Sequence, residues 1–140
     1  MEMENRYIEI FTGLRRDYGY ADINSAFKDP STGKLKLKYG WAAKELLDSD
    51  YIAHLEGKKS IGVQPCNDDG LSNFGAIDID SDEYDNFDLR KYLEIIDKKN
   101  IPVVPVKSKS GGLHIYVFFK EPVKASYVRN FLDKLLFTLI

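Results

Sequence analysis

The sequence predicts an α+β protein: a two-layer, antiparallel-rich sheet in the order β-β-α-β-β-α with helices on one face, preceded by a helical and hairpin extension. Three observations carry this reading. An apolar run, Phe74-Gly75-Ala76-Ile77, leads into Asp78-Ile79-Asp80. An aromatic and β-branched run, Leu113 to Phe119, follows Gly111-Gly112. Helical periodicity marks the stretch between these two strands and the stretch after the second.

The elements follow in chain order. Asn5 to Asp17 places Tyr7, Ile8, Phe11 and Leu14 at helical spacing, which predicts a helix ending before Gly19. Asp29-Pro30-Ser31-Thr32-Gly33 is a turn signal between Ala26-Phe27 and the alternating Lys34-Leu35-Lys36-Leu37-Lys38. It predicts a hairpin whose lysines line one exposed face. A helix is expected over Ala42 to Leu55, carrying Leu46, Leu47, Ile52 and Leu55, with a break offered by Asp48-Ser49-Asp50. His54 falls on that helix without a companion ligand and reads as a surface residue.

Ser60 to Pro65 and Ser72 to Asp80 read as two strands joined through the Asn67-Asp68-Asp69-Gly70 turn, an antiparallel hairpin. A helix over Leu89 to Lys99, burying Tyr92, Leu93, Ile95 and Ile96, crosses to a strand over Val103 to Lys107. After Leu113 to Phe119 the last helix starts near Ala125-Ser126 and runs through Val128, Phe131, Leu132, Leu135 and Leu136. The sum is an RRM-like sheet with one face covered by helices and the other free for ligands.

Length and composition bound the possibilities. A chain of 140 residues fits one domain that removes roughly two-thirds of its unfolded surface from water. A hydrophobic content of 44% with 30% charged residues is ordinary for a globular protein. No run approaches the ~18 apolar residues of a membrane span, and the acidic start Met-Glu-Met-Glu-Asn-Arg lacks a signal-peptide core. These features predict a cytoplasmic protein with no membrane partner. The single Cys66 has no disulfide or CxxC partner and reads as a small packed hydrophobe. A net charge of −2 excludes a general basic coat, but the charges are unevenly placed. Asn67 to Asp88 holds eight acidic residues and no Lys or Arg, whereas Lys28 to Lys38 holds four lysines and one acid.

Side chains alternate along a strand, so Asp78 and Asp80 project from one side while Ile77 and Ile79 enter the core. Two carboxylates on one face suit a hard divalent cation, Mg²⁺ or Mn²⁺, that completes its shell with water and phosphate. The segment Ser108-Lys109-Ser110-Gly111-Gly112-Leu113-His114 supplies the complementary chemistry. Its glycines permit close backbone approach, and its hydroxyls, amides, lysine and histidine offer donors to phosphate oxygens. Each segment alone is a weak signal. Joined in this order, with one helix and one strand between them, they point to a metal and nucleotide-phosphate site. Paired carboxylates also serve metal-dependent nucleases, but the serine-to-histidine element favours nucleotide binding.

This pair of motifs resembles the archaeo-eukaryotic primase superfamily, the primase-polymerases, and most closely the primase-like modules of phages and of TOTE-type conflict systems. The similar segments are Phe11-Thr12-Gly13-Leu14, His54-Leu55-Glu56-Gly57-Lys58, Ile61-Gly62-Val63, Asn67-Asp68-Asp69-Gly70, Phe74 to Asp80 and Ser108 to His114. By that resemblance Asp78, Asp80 and His114 are the catalytic residues, with Asp78 and Asp80 binding the divalent metals. Ser108, Lys109, Ser110 and His114 hold the triphosphate of the incoming nucleotide. The implied partners are nucleoside triphosphates, a single-stranded DNA template, and a helicase or a further C-terminal segment or subunit. Lys36, Lys38, Trp41 and Tyr116 are the candidates for nucleic-acid contact, with Lys34 and Phe118 beside them. The resemblance implies template-dependent nucleotidyl transfer. Its alternative is a non-catalytic, primase-derived fragment that binds nucleotide, single-stranded nucleic acid or a partner subunit.

One departure shapes the expectation. Such proteins complete the metal site with a carboxylate on a strand beyond the helix that follows His114, whereas here Glu121 and Asp133 are the only later acids. The last helix also reaches Ile140 without a capping residue. The expectation is therefore residues 1–140 of a primase-polymerase-like catalytic domain that lacks its C-terminal part.

Overall fold

The structure is a computed structural model that describes residues 1–82 and 86–140. Glu83 and Asp85, two of the eight acids in the acidic stretch, lie outside the described residues. The chain is α+β, and its described residues form two small antiparallel sheets and four helices. It divides into two compact units, Met1–Asp69 and Gly70–Ile140.

The first unit contains α1 (Glu2–Ile10), β1 (Tyr18–Lys28), β2 (Leu35–Ala42), α2 (Asp48–Leu55) and β3 (Ser60–Gly62). Its sheet has the order β2-β1-β3. The predicted hairpin is present and longer than expected, because Tyr18 to Ser25 is also strand. Asp29 builds the turn: its Oδ1 accepts from the Ser31 amide at 2.8 Å and the Ser31 hydroxyl at 2.6 Å, and Gly33 closes it at φ 67°. Hydrogen bonds from Lys36 and Ser31 hold the Asp29 carboxyl far below the usual carboxylate range.

α1 is shorter than expected and stops at Ile10. Leu14 is buried all the same, and its amide donates to the Gln64 carbonyl at 2.9 Å. Gly13 makes that approach possible: a Cβ there would lie 2.0 Å from Gln64 O. α2 begins at Asp48, so the aspartate-rich break prevails over the Ala42 start. Its buried residue is Tyr51, whose hydroxyl donates to the Phe11 carbonyl at 2.9 Å, whereas Leu47, Ile52 and Leu55 are exposed. Ile8, Tyr18, Leu46 and Tyr51 form the core of this unit.

The expected pairing of the strand at Ser60 with the strand at Ser72 is not formed. β3 pairs instead with β1, Gly19 opposite Gly62 and Tyr20 opposite Ile61. The local turn at Asn67 to Gly70 suggested a hairpin, but Ile61 packs into the Tyr18 and Tyr51 core, and long-range burial decides the partner. Two further expectations are corrected. Cys66 is exposed rather than packed. His54 is half-buried rather than a surface residue, with Nδ1 3.0 Å from the Lys59 carbonyl.

The second unit contains β4 (Leu71–Ile79), α3 (Leu89–Lys98), β5 (Val104–Lys107), β6 (Leu113–Lys124) and α4 (Ala125–Leu139). These match the predicted β-α-β-β-α run, and the sheet order β4-β6-β5 is antiparallel throughout. Asp88 caps α3 by accepting from the Arg90 amide at 3.0 Å. Alternation along the strands sends Ile79, Leu113 and Ile115 toward α3 and α4, where they pack with Tyr92, Ile96, Leu135 and Leu139. Leu93, expected in this core, is 39% exposed. Gly75 lets α4 sit close to the sheet, since a Cβ there would meet Val128 Cγ1 at 2.7 Å. Among the described residues no helix is long and apolar enough to cross a membrane.

Candidate nucleotide and metal site

The face of the second sheet turned away from α3 and α4 carries the predicted chemistry. His114, Tyr116 and Phe118 alternate along β6 with the buried Leu113, Ile115 and Val117. The antiparallel register sets Asp78 directly opposite His114 and Ala76 opposite Tyr116. On the other side of β6, Val106 faces His114 and Val104 faces Tyr116. The open face is thus a polar pair, Asp78 and His114, bordered by exposed valines and by Tyr116 stacked on Phe118 at 5.9 Å between centroids.

His114 Nε2 lies 3.2 Å from Asp78 Oδ1, an ion pair whenever the imidazole is protonated. Asp78 therefore has a basic neighbour that its own sequence segment lacks. Both groups remain reachable, with 62% of the Asp78 side chain and 38% of the His114 side chain exposed. Asp80 follows one residue beyond the end of β4 and is half-buried.

The turn between β5 and β6 is drawn against this strand end. The Ser108 amide donates to the Gly112 carbonyl at 2.9 Å, and the Gly111 amide to the Ser108 carbonyl at 3.2 Å. Gly111 adopts φ 92°, a conformation that only glycine takes readily. A Cβ on Gly112 would lie 2.4 Å from the Ile79 carbonyl oxygen and 3.3 Å from Asp80 Cα, so glycine alone fits between the two motifs. The Ser108 and Ser110 hydroxyls are 3.0 Å apart, and Lys109 is exposed. The two sequence motifs are therefore neighbours in space, joined by backbone contact.

Sequence reasoning missed Ser81, whose hydroxyl donates to the Ser110 carbonyl at 3.4 Å and ties the end of the aspartate motif to the serine turn. A hydroxyl residue directly after the second aspartate was the available signal. The nucleic-acid candidates divide between the two units. Lys36, Lys38 and Trp41 lie on β2, and Tyr116 lies on β6. Within β2 the lysines occupy alternate positions on one face and Trp41 the other. Lys36 is also held by Asp29.

Among the described residues no group of three or more His, Cys, Asp or Glu side chains is placed to hold a metal ion. Asp78 offers an exposed carboxylate near the end of β4, and Asp80 follows two residues later, just past the strand. That donor set fits an ion that takes its remaining ligands from water and phosphate, and does not fit a closed protein cage.

The second sheet thus carries Asp78 on β4 opposite His114 on β6, on the face away from α3 and α4. Residues 16–140 match the archaeo-eukaryotic primase domain of TOTE conflict systems, and the chain belongs to that family. No curated protein matches the chain.

Proposed function

We propose that this chain binds a nucleoside triphosphate with Mg²⁺ or Mn²⁺ on the open face of the β4-β6-β5 sheet and takes part in template-dependent nucleotidyl transfer. The observation that carries this reading is the cross-strand placement of Asp78 against His114, with Gly112 packed on the Ile79–Asp80 backbone beside them. Asp78 and Asp80 hold the cation through carboxylate oxygens. The ion these carboxylates would hold would supply neutralisation of the phosphate charge.

The remaining work falls to the chain itself. His114 donates to a phosphate oxygen, and the Ser108 and Ser110 hydroxyls with Lys109 complete the triphosphate cradle. Tyr116, one position along the same face, offers a ring for base or sugar. In the reaction the 3′-hydroxyl oxygen of a primer or first nucleotide attacks the α-phosphorus. The α–β phosphoanhydride bond breaks, pyrophosphate departs, and the hydroxyl proton passes to solvent. The protein contributes positioning and charge stabilisation, which is what phosphoryl transfer chiefly needs. A single-stranded DNA template, and a helicase or a further segment or subunit, are the partners this role implies, and the cytoplasm is where it would act.

The test is extension of a templated primer, and synthesis on an unprimed template, with labelled ribo- or deoxyribonucleotides and Mn²⁺. The proposal expects product that disappears in Asp78→Ala and Asp80→Ala. Absence of product, or product unchanged by both substitutions, contradicts it.

A further inference from the structure

We infer that the β1–β2 hairpin of the first unit is a docking surface for single-stranded nucleic acid, with bases stacking on Tyr39 and Trp41. The inference deepens the primase reading by giving the copied strand a surface, and rests on that reading for the strand's role. The binding itself stands on the hairpin's own features.

β2 is an edge strand of its sheet. Leu35, Leu37, Tyr39 and Trp41 occupy the positions of one of its faces, and Tyr39 is 78% and Trp41 51% exposed. Lys28, directly opposite Leu35, belongs to that face too. The floor beside the aromatics is made of small residues: Gly19 faces Trp41 and Gly62, and Ala21 faces Tyr39 and Ser60. The six-membered ring of Trp41 covers Gly19, its Cζ3 and Cε3 lying 3.5 and 3.6 Å from where a Cβ would be. One side of the indole is thus supported by backbone and the ring is half exposed, a rigid stacking surface. A shallow cavity of about 240 Å³ adjoins it, with Tyr39, Ala21, Ser60 and Gly62 in its lining. It is smaller than the pockets of roughly 300 Å³ upward that enclose small ligands, and suits a planar base laid on the sheet.

Charge selects the occupant. The hairpin, residues 18–42, holds four lysines and two aspartates in a chain of net charge −2. Lys28 shares the face of Tyr39 and Trp41, whereas Lys38 and Lys36, the latter paired with Asp29, belong to the other face of β2 beside its free edge. A strand whose bases lie over Tyr39 and Trp41 carries its phosphates along that edge. An aromatic platform bordered by lysines is the combination that binds single strands with little sequence preference. Lysine on an edge strand also discourages edge-to-edge pairing of two copies.

Trp41 is the only tryptophan of the chain, so its emission reports directly on this face. The experiment is titration of the whole chain with a thymidine oligodeoxynucleotide, followed by tryptophan emission and by anisotropy of a labelled oligonucleotide at two salt concentrations. The expected result is quenching of Trp41, roughly five- to hundredfold weaker binding in Tyr39→Ala, and a shallower salt dependence in Lys28→Ala/Lys38→Ala. Tyr39 is exposed enough that its truncation leaves folding intact. His114→Ala is expected to quench like the wild type, which separates this surface from the nucleotide site. Three results overturn the inference: no quenching, binding indifferent to Tyr39→Ala, or self-association lost in Tyr39→Ala while the oligonucleotide goes unbound. The first two leave nucleotide binding at His114 standing.

Discussion

Asp78 and His114 stand directly opposite each other on neighbouring antiparallel strands, with Nε2 and Oδ1 3.2 Å apart on the helix-free face. Neither residue is part of the hydrophobic core, which lies on the other side of the same strands. His114→Ala and Asp78→Asn should therefore change stability by no more than about 0.5 kcal/mol. Urea unfolding of each variant checks this, and makes any loss of ligand binding attributable to the site.

Gly112 should behave differently. A methyl group there meets the Ile79 carbonyl oxygen at 2.4 Å, and backbone rather than a mobile side-chain end must give way. Gly112→Ala is expected to cost about 1–3 kcal/mol and to push the Ser108–Ser110 turn away from Asp80. Paired measurements of unfolding and nucleotide affinity should show both losses together.

The first unit is held in part by Asp50, which accepts from Lys59 Nζ at 2.5 Å and from the Leu47 amide at 2.9 Å. Burial, the largest single influence on its carboxyl, pushes the pKa up, but these hydrogen bonds and the Lys59 charge outweigh it, and the net shift is downward from 3.8. A carboxylate whose pKa is lower in the folded state adds stability that is complete above 3.8 and is lost as pH falls through the folded value. Asp50→Asn should therefore lower stability at neutral pH by about 2 kcal/mol and flatten the acid limb of the stability profile. Thermal melts from pH 7 down to pH 2 compare the two slopes.

Tyr51 is fully buried, and its hydroxyl donates to the Phe11 carbonyl just past the end of α1. Tyr51→Phe keeps the ring and removes the donor. The expected cost is about 1–2 kcal/mol, read as a shift in the denaturant midpoint at unchanged slope.

Much of the second unit was legible because its signals are local. The apolar run ending at Asp78-Ile79-Asp80, the helical spacing around Tyr92 and Ile96, and the Gly111-Gly112 break before His114 each mark an element without help from distant residues. What local pattern could not supply was register. That Asp78 meets His114, and that Gly112 is wedged against Ile79, depends on which residues of β4 and β6 align. The same limit explains the misplaced partner of β3. Its three residues hold too little alternation to choose between β1 and β4, and Ile61 decides by burial beside Tyr18. Of the apolar residues expected on the helix over Ala42 to Leu55, Leu46 is buried ahead of α2, but Leu47, Ile52 and Leu55 are exposed, and within α2 only Tyr51 is buried, its ring 5.1 Å beneath the Arg15 guanidinium. A tyrosine can fill a core because its hydroxyl finds a carbonyl, and no helical period reveals that partner.

The central claim is that Asp78, Asp80 and His114 form one nucleotide and metal site. Calorimetric titration of nucleoside triphosphate, with and without Mn²⁺, into the wild type, Asp78→Ala/Asp80→Ala and His114→Ala tests it most directly. The account predicts Mn²⁺-dependent binding by the wild type that is lost in both variants while their unfolding transitions are kept. Binding that is absent from the wild type, or that survives both substitutions unchanged, would contradict it.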